Sequence, residues 1–348
     1  MINVSASKLS NPPSTGWPKE QVTEESVNRL FVEKFKNIVA SYEQRKNNPT
    51  NVVLQTGPWM ANDYASALSD RKQQEWLKWL IDKNAIYWGF PPKGFTQKPY
   101  PGTPTSGPES GMFQYQIADG VLPTQALENV KSGQYSFIDC GMAVQLARLE
   151  TLRDVFGDNR FNARFASNGS FPLRMNPQNS LLESFGLIKE IQYSFNTISP
   201  QFGEQMACFN IPLYRMKHHN GEAVAFNVVC ISPSSAEEKE FIGFGLSSVG
   251  IKVKKIYGKL VEEFNQNPID PNLICSAKIQ EYLVNENKDF VSKIESQINC
   301  KLSDFKISLD VFESAVTKYR PGEQGFDGPI GLYNSGKRFD IEAIQKHM

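Results

Sequence analysis

The sequence predicts an α+β fold in which a helix bearing a cysteine packs on an antiparallel sheet. Residues 140–156 carry apolar side chains at three- and four-residue spacing, which is typical of a mostly buried helix. Segments rich in β-forming residues follow at 206–209, 222–231 and 240–246, separated by turn-forming residues. Helical spacing returns from about residue 254. Strands grouped together and followed by helices indicate an α+β fold.

The length and charge of the chain limit how many domains it can form and what kinds of partner it is expected to bind. With 348 residues, it can form one large domain with appendages, or two domains. Lys and Arg together number 37, as do Asp and Glu, so we expect no binding to nucleic acid or to an acidic membrane surface. No apolar run approaches the length that spans a bilayer. The first residues lack the pattern of a secretory signal peptide, so we expect synthesis in the cytoplasm and leave the final destination open.

The cysteines and histidines indicate neither a disulfide framework nor a zinc site. Five cysteines, odd in number and widely spaced, fit a reducing compartment. Three histidines and no Cys-x-x-Cys pair argue against zinc ligands of ordinary spacing. The cysteines are Cys140, Cys208, Cys230, Cys275 and Cys300.

Upstream of the cysteine, three helices and one strand are predicted. Residues 1–24, rich in Ser, Asn and Pro, are expected to form a flexible leader. Apolar spacing predicts helices over residues 25–48, 69–83 and 123–130, and a short strand at 85–89. Residues 89–111 are so rich in Gly and Pro that no regular element is expected there. That stretch is either a lid over a cleft or disordered.

Downstream of the cysteine helix, strands precede a helical extension. A turn is predicted at 157–162 and a strand near 188–195. The apolar run at 222–231 predicts a strand buried on both faces. Beyond residue 254 we expect mainly helices, then a loop over 322–336 and a short terminal helix; their apolar stripes are expected to face the protein's own core rather than a partner. The predicted organisation is a leader at 1–24, a core domain at 25–250 and an extension at 251–348.

Cys140 is the candidate nucleophile. Gly133 and a short aromatic run precede it, and the helix predicted to begin there ends at Gly157. Unpaired backbone N–H groups and the helix dipole favour a thiolate in a first helical turn. The alternative is that Cys140 is an inert packing residue, as buried cysteines usually are.

Two carboxylates are candidate bases for that thiol. Asp139 directly precedes it, and Glu222 opens the predicted buried strand, where partial desolvation would raise its pKa. Proton transfer from an ordinary Cys to an ordinary Glu costs about 5–6 kcal/mol, which the environment must offset. The alternatives are a helix cap for Asp139 and a solvent-facing strand end for Glu222. His218 and His219 lie in a predicted turn and are expected to be solvated.

Motifs around Cys140 resemble one enzyme family. An acid-Cys-x-x-Ala pattern ends at Ala143, and residues 157–165, Gly-Asp-Asn-Arg-Phe-Asn-Ala-Arg-Phe, follow the helix. Shorter similarities occur at Tyr87-Trp88, Phe202-Gly203-Glu204, Phe209-Asn210, Asn220-Gly221-Glu222 and 238–246. Over about residues 85–250 the chain resembles the Bacillus-type spore-coat transglutaminases, within the NlpC/P60, papain-like group.

The resemblance implies a papain-like core and a thiol-dependent transfer of acyl groups from protein glutamine to lysine. Cys140 would be the nucleophile, Glu222 would exchange protons and Asp139 would assist. No metal or organic cofactor is implied. The expected partners are proteins that supply the glutamine and the lysine, and the oligomeric state is left open.

The chain departs from the family pattern near the implied site. Asp139 replaces a Glu, Phe244 replaces a His, and His219-Asn220 replaces a tryptophan segment. His219 is therefore a possible assisting residue. An alternative alignment matches residues 331–337 to the segment after the family's last strand, with an insertion before it.

Three functions remain open at this level. Cross-linking is the first. Deamidation or amide hydrolysis would follow if water resolved the same thioester. The third possibility is a catalytically inactive scaffold or interaction protein, which the replacement at Phe244 and the long extensions favour.

Overall fold

The architecture is α+β, built on antiparallel sheets. A computed structural model of the chain describes residues 15–46, 94–99, 113–132, 140–175, 181–194, 198–218, 223–233, 238–267, 288–318 and 330–348. The described α-helices are α1 Glu24–Lys46, α2 Pro123–Ser132, α3 Cys140–Phe156, α4 Asp158–Phe165, α5 Leu181–Ser184, α6 Leu213–Lys217, α7 Val253–Asn265, α8 Lys288–Ile298, α9 Leu309–Lys318 and α10 Ile341–Lys346. The described strands are β1 Phe95–Pro99, β2 Phe113–Ile117, β3 Arg174–Met175, β4 Ile188–Gln192, β5 Gln205–Phe209, β6 Ala225–Cys230, β7 Glu240–Gly243, β8 Ser247–Lys252 and β9 Gly331–Phe339.

The larger sheet has six strands in the order β4-β9-β5-β6-β7-β8. Each neighbouring pair is antiparallel. Strand β9, near the end of the chain, lies between β4 and β5, so Gly336 pairs with Ile191 on one side and Met206 on the other. The sheet formed by β4 to β8 is therefore completed by a strand from the chain after residue 250.

Helix α3 lies in the core against one face of this sheet. Its residues from Met142 onward are buried except Arg153, so the helix is enclosed on nearly every side. Helix α1 packs beside it, and the Nζ of Lys34 lies 2.7 Å from a carboxylate oxygen of Asp154. Alternation along the strands places Val229 and Ile242 in the apolar cluster on this side.

Helices α7 and α9 cover the opposite face. Val228, Cys230 and Phe241, which alternate with the residues facing α3, belong to a second apolar cluster that includes Ile256 and Phe312. The sheet is therefore buried on both faces, between α1 and α3 on one side and α7 and α9 on the other. A three-stranded sheet, β1-β2-β3, adds Tyr115 and Met175 to the core on the α3 side.

The helix at Cys140, its end before Gly157 and the strands β4, β5 and β7 confirm the pattern-based predictions. The strongest predicted strand is shorter than expected. It begins at Ala225, and only its last three residues are buried. These residues are also the ones that pair with β7. Predictions over residues 69–83 and 85–89 lie outside the described residues.

Three predicted turns or loops are wrong in part. The turn predicted at 157–162 is confined to Gly157, because α4 begins at Asp158. Phe95–Pro99, within the Gly- and Pro-rich stretch, forms a strand because all five residues pair with β2. Residues 331–336, expected to be a loop, belong to β9. Gly336 pairs with both neighbouring strands, Ser335 pairs with β4, and Asn334 accepts a backbone N–H from Tyr193, so these contacts override their weak β preference.

The second half of the expected leader is ordered against the core. The backbone N–H of Trp17 donates to the Val155 carbonyl at 2.9 Å, and Val22 is fully buried. The Gln345 side chain donates to the Val22 carbonyl at 2.8 Å. Apolar side chains thus hold residues 15–23 in place. No helix in the described residues is long and apolar enough to cross a membrane.

Candidate thiol site

Cys140 is the first residue of α3 and is half-buried. Burial of the remainder of the helix fixes the position of its first turn at strand β6. The side-chain N–H of Asn227 donates to the Cys140 sulfur at 3.1 Å. The thiol donates to the Ala225 carbonyl oxygen at 3.9 Å. The sulfur therefore lies between a donor and an acceptor on the same strand.

Gln205 fixes the orientation of Asn227. Its side-chain N–H donates to the Asn227 carbonyl oxygen at 2.7 Å. Antiparallel pairing of Ala207 with Asn227, and of Gln205 with Val229, places these side chains on the face that meets α3. With its oxygen held by Gln205, Asn227 presents its amide nitrogen to the sulfur.

Sequence reasoning missed Asn227, although a signal was present. Asn227 is the one polar residue in the apolar run from Ala223 to Cys230. A polar side chain inside a sheet needs a partner, because burying it without one is costly. The sequence therefore signals a polar contact at this position, but it does not say that the partner is a thiol.

The Ala225 carbonyl lies outside the part of β6 that pairs with β7. The Asn210 N–H bonds to the Val224 carbonyl, so the next residue, Ala225, turns its backbone groups away from β5. On the other side, β7 pairs with β6 only as far as Val228 opposite Gly243. No strand of the described sheet continues beside the Ala225 carbonyl, which leaves an acceptor next to the sulfur.

Of the four predicted site residues, the structure describes only Cys140. Asp139, His219 and Glu222 lie outside the described residues. Their predicted roles stay predictions, since no distance joins them to the sulfur. In sequence, Asp139 is bonded to Cys140, and Glu222 precedes the contact residue Ala225 by three positions.

Phe244, at the position where the resembled family has a histidine, is a core residue. It is 1% exposed, and its ring centroid lies 4.1 Å from that of Tyr42 on α1. The ring packs β7 and the following turn against α1. This position supplies no ionisable group to the site.

His218 is buried, which corrects the expectation of a solvated turn histidine. Its Nε2 lies 3.0 Å from the Phe264 carbonyl oxygen, and its ring stacks on Tyr214 at 4.8 Å. Its backbone N–H donates to the Tyr214 carbonyl oxygen, so the residue directly follows the last turn of α6. His218 therefore joins α6 to α7 on the face of the sheet away from Cys140.

Two other cysteines lie on that opposite face. Cys208 and Cys230 are fully buried in the cluster beneath α7 and α9. Burial raises the pKa of the Cys208 thiol far above its ordinary value, and it raises that of Cys230 to about 11. Both positions favour the neutral thiol over the thiolate.

Ion pairs hold α3 to the helices around it. Arg153 bonds to Asp158 at 2.8 Å and to Glu128 of α2 at 2.5 Å. The hydrogen bond with Asp158, the largest cause, raises the pKa of Arg153 well above its ordinary value. Lys131 bridges Glu128 and the buried carboxylate of Glu150. These contacts stabilise the position of α3 and lie along its second half.

The described residues contain no cluster of three or more His, Cys, Asp and Glu side chains placed to hold a metal ion. In comparisons with protein-family models, curated proteins and solved structures, nothing matches this chain.

Proposed function

We propose that the protein is a thiol enzyme that transfers the acyl group of a protein glutamine side chain to a lysine amine. The observation that carries the proposal is the placement of Cys140. Its sulfur is half-buried at the start of a rigid core helix and is held between an amide donor and a carbonyl acceptor. Nucleophilic thiols need such partly accessible sites, where the thiolate is stabilised.

The overall arrangement is compatible with the papain-like core that the sequence resembles. A helix beginning at the thiol packs on an antiparallel sheet, and a strand from that sheet contacts the sulfur. We propose that Glu222 reaches the same site. It precedes Ala225 by three positions, so chain connectivity limits the distance between their Cα atoms to about 11 Å.

The proposed reaction proceeds through a thioester. The Cys140 thiolate attacks the carboxamide carbon, and backbone N–H groups in the first turn of α3 bind the oxyanion. The C–N bond breaks, and Glu222 supplies the proton with which ammonia leaves. A lysine amine then attacks the thioester carbon, the C–S bond breaks, and Glu222 accepts the amine proton. The product is an isopeptide bond, and Asp139 assists the proton transfers.

The Ala225 carbonyl supports a carboxamide as the substrate. When the thiol loses its proton, it no longer donates to this oxygen, which then accepts an N–H from the substrate. A carboxamide offers that N–H, whereas a carboxylate or an ester does not. The acceptor beside the sulfur therefore favours glutamine over glutamate.

An inactive scaffold is the second candidate, and the packing of Phe244 favours it. An aromatic core residue occupies the position where the resembled enzymes have a histidine. If that histidine is essential, the fold would persist without the chemistry. Interaction with a partner protein would then be the function.

Incubation of the full chain with a glutamine-containing protein and a labelled primary amine tests these functions. Incorporation of the amine supports transfer, a mass gain of about one dalton per glutamine indicates deamidation, and no change across several protein substrates favours the scaffold. We expect Glu222→Gln to lose nearly all incorporation and His219→Ala to lose little. Full incorporation by Glu222→Gln would remove the base assignment.

A further inference from the structure

We propose that Asn227, oriented by Gln205, is a positioning residue that donates a hydrogen bond to the Cys140 sulfur and favours its thiolate. The inference rests on the proposed function only in taking Cys140 as the nucleophile. It concerns Asn227, to which the resemblance assigns no role and for which the sequence pattern indicates a polar contact without its partner.

The first step of the argument is the direction of the Asn227 amide. An asparagine side chain can present either its oxygen or its nitrogen to a neighbour. Gln205 donates to the Asn227 oxygen at 2.7 Å, which leaves the nitrogen to meet the sulfur at 3.1 Å. Gln205 lies on β5 and Asn227 on β6, so paired strands hold both amides.

The second step is the charge of the surroundings. On the sheet face that meets the sulfur, β5 presents Gln205, Ala207 and Phe209, and β6 presents Ala225, Asn227 and Val229, none of which is charged. On β9, Lys337 pairs with Gln205 on this face, and its Nζ lies 2.9 Å from a carboxylate oxygen of Glu183. On α3 the first charged side chain after Cys140 is Arg148, two turns away, and it donates to the Lys337 carbonyl. Glu43, near the end of α1, accepts from Ser248. The acids Asp139 and Glu222 adjoin the site in sequence.

The third step is the difference between the two protonation states. The neutral thiol makes both contacts, accepting from Asn227 and donating to Ala225. Of these two contacts the thiolate keeps the one with Asn227, and a hydrogen bond to an anion is roughly twice as strong as one between neutral groups. The Asn227 N–H therefore stabilises the charged form more than the neutral form.

The pH dependence of alkylation by iodoacetamide tests this proposal, with the labelling of Cys140 followed by peptide mass spectrometry on the full folded chain. Asn227→Leu keeps the shape of the side chain but removes the N–H. We expect the midpoint of its rate profile to move up by about one pH unit, with about tenfold slower labelling at pH 7. The rate at the high-pH plateau is expected to stay the same, because access to the sulfur is unchanged.

Two substitutions of Gln205 test the orientation. A carboxylate at this position cannot donate, so Gln205→Glu should turn the Asn227 oxygen toward the sulfur, and its negative charge also opposes the thiolate. The two effects together should raise the midpoint at least as far as Asn227→Leu does. Gln205→Met, which lacks a donor, should raise it less. Gln192→Met, the same change at an exposed position on β4, is the matched control and should leave the midpoint unchanged.

Unchanged midpoints in Asn227→Leu and Gln205→Glu would overturn the proposal. If Asn227→Leu does not fold, as judged by circular dichroism, Gln205→Met decides, because it removes the donor without adding a charge; an unchanged midpoint in this variant would then overturn the proposal. Alkylation needs no substrate, so the result is separate from that of amine incorporation. Shifted midpoints without incorporation would retain this inference and reject the transferase, and incorporation with unshifted midpoints would do the reverse.

Discussion

The two faces of the large sheet hold cysteines in opposite environments. On the α3 face, the Cys140 sulfur is half-buried and receives an N–H from Asn227. On the α7 face, Cys208 and Cys230 are fully buried among apolar side chains. The sheet is the same, and the residue type is the same. The neighbours of each sulfur determine whether its thiolate is stabilised.

Cys230 shows why burial alone gives an inert thiol. Its sulfur lies 3.6 Å from the Pro200 carbonyl oxygen and 3.8 Å from that of Ser232, so its one S–H can donate to either. Burial raises its pKa to about 11. A backbone hydrogen bond with Ser232 lowers this pKa, but burial outweighs it. Cys140 differs in being only half-buried, in receiving a side-chain N–H and in lying at the start of a helix, where the dipole favours negative charge.

The largest effect is expected from removing each thiol in turn. Cys140→Ala should reduce labelled-amine incorporation to background, because it removes the proposed nucleophile. Cys208→Ala should retain incorporation within a few fold after correction for the folded fraction, since its sulfur only packs against the cluster. Incorporation by Cys140→Ala at the wild-type rate would place the chemistry elsewhere.

A larger side chain at Gly336 is expected to disturb the packing on the α7 face of the sheet. A Cβ at this position of β9 would lie 1.7 Å from a Glu204 carboxylate oxygen, so the carboxylate must move from its hydrogen bonds. We expect Gly336→Ala to lower the free energy of unfolding by about 1–3 kcal/mol, measured in urea.

Gly258 is the matched control for that substitution. It lies within α7, and an added Cβ would meet no atom within 4 Å. Gly258→Ala should raise the free energy of unfolding by about 0.5–1 kcal/mol, because alanine favours the helix. Equal effects of the two substitutions would contradict the close contact at Gly336.

A smaller effect, with a defined dependence on pH, is expected from Glu204. Burial raises the pKa of its carboxyl, although the Tyr193 hydroxyl, 2.6 Å from one oxygen, and the Gln201 amide oppose the change. The folded chain therefore holds this proton at pH values where the unfolded chain has released it. The contribution of Glu204 to the free energy of unfolding falls as pH rises from about 4.3, the ordinary glutamate value, through the folded pKa.

Glu204→Gln removes that dependence because glutamine does not titrate. Urea unfolding of both proteins between pH 4 and 7 should show the variant gaining stability relative to the wild type as pH rises. A constant difference across this range would exclude a raised pKa for Glu204.

The smallest effect is expected on the outer surface of the same face. Lys254 of α7 lies 3.4 Å from a carboxylate oxygen of Glu313 on α9, and its side chain is 70% exposed. Water screens such a pair, so Lys254→Met should change the free energy of unfolding by less than about 0.5 kcal/mol in urea. A loss of 2 kcal/mol or more would mean that this pair, rather than the apolar cluster, joins the two helices.

Helices and strands with a clear local pattern of apolar and turn-forming residues were predictable from the sequence. Helix α3 begins at Cys140 and ends before Gly157 as expected, because its apolar spacing and terminal glycine are local signals. Strand β9 was not predictable, since Asn334, Ser335 and Gly336 have weak β preference and depend on β4 and β5 for pairing. The residues of a strand do not by themselves indicate which distant strands will pair with it.

Of the contacts that form the candidate site, only the position of Cys140 was predictable from the sequence. Cys140 was recognisable from its place before a buried helix. Asn227 was visible as a polar interruption of a strand, but its contact with the sulfur depends on the docking of α3 against β6, 87 residues apart in sequence. The burial of His218 depends likewise on α7, which follows it in the chain by more than thirty residues.

Site-resolved alkylation of the folded chain at pH 7 tests the central claim most directly. Iodoacetamide labelling of Cys140 and Cys230, followed by peptide mass spectrometry in one sample, compares the two faces under identical conditions. The account predicts labelling of Cys140 at least about a hundredfold faster, because a thiol with a pKa near 11 is almost wholly protonated at this pH. Equal rates, or protection of Cys140 while Cys230 reacts, would contradict the assignment of Cys140 as the nucleophile.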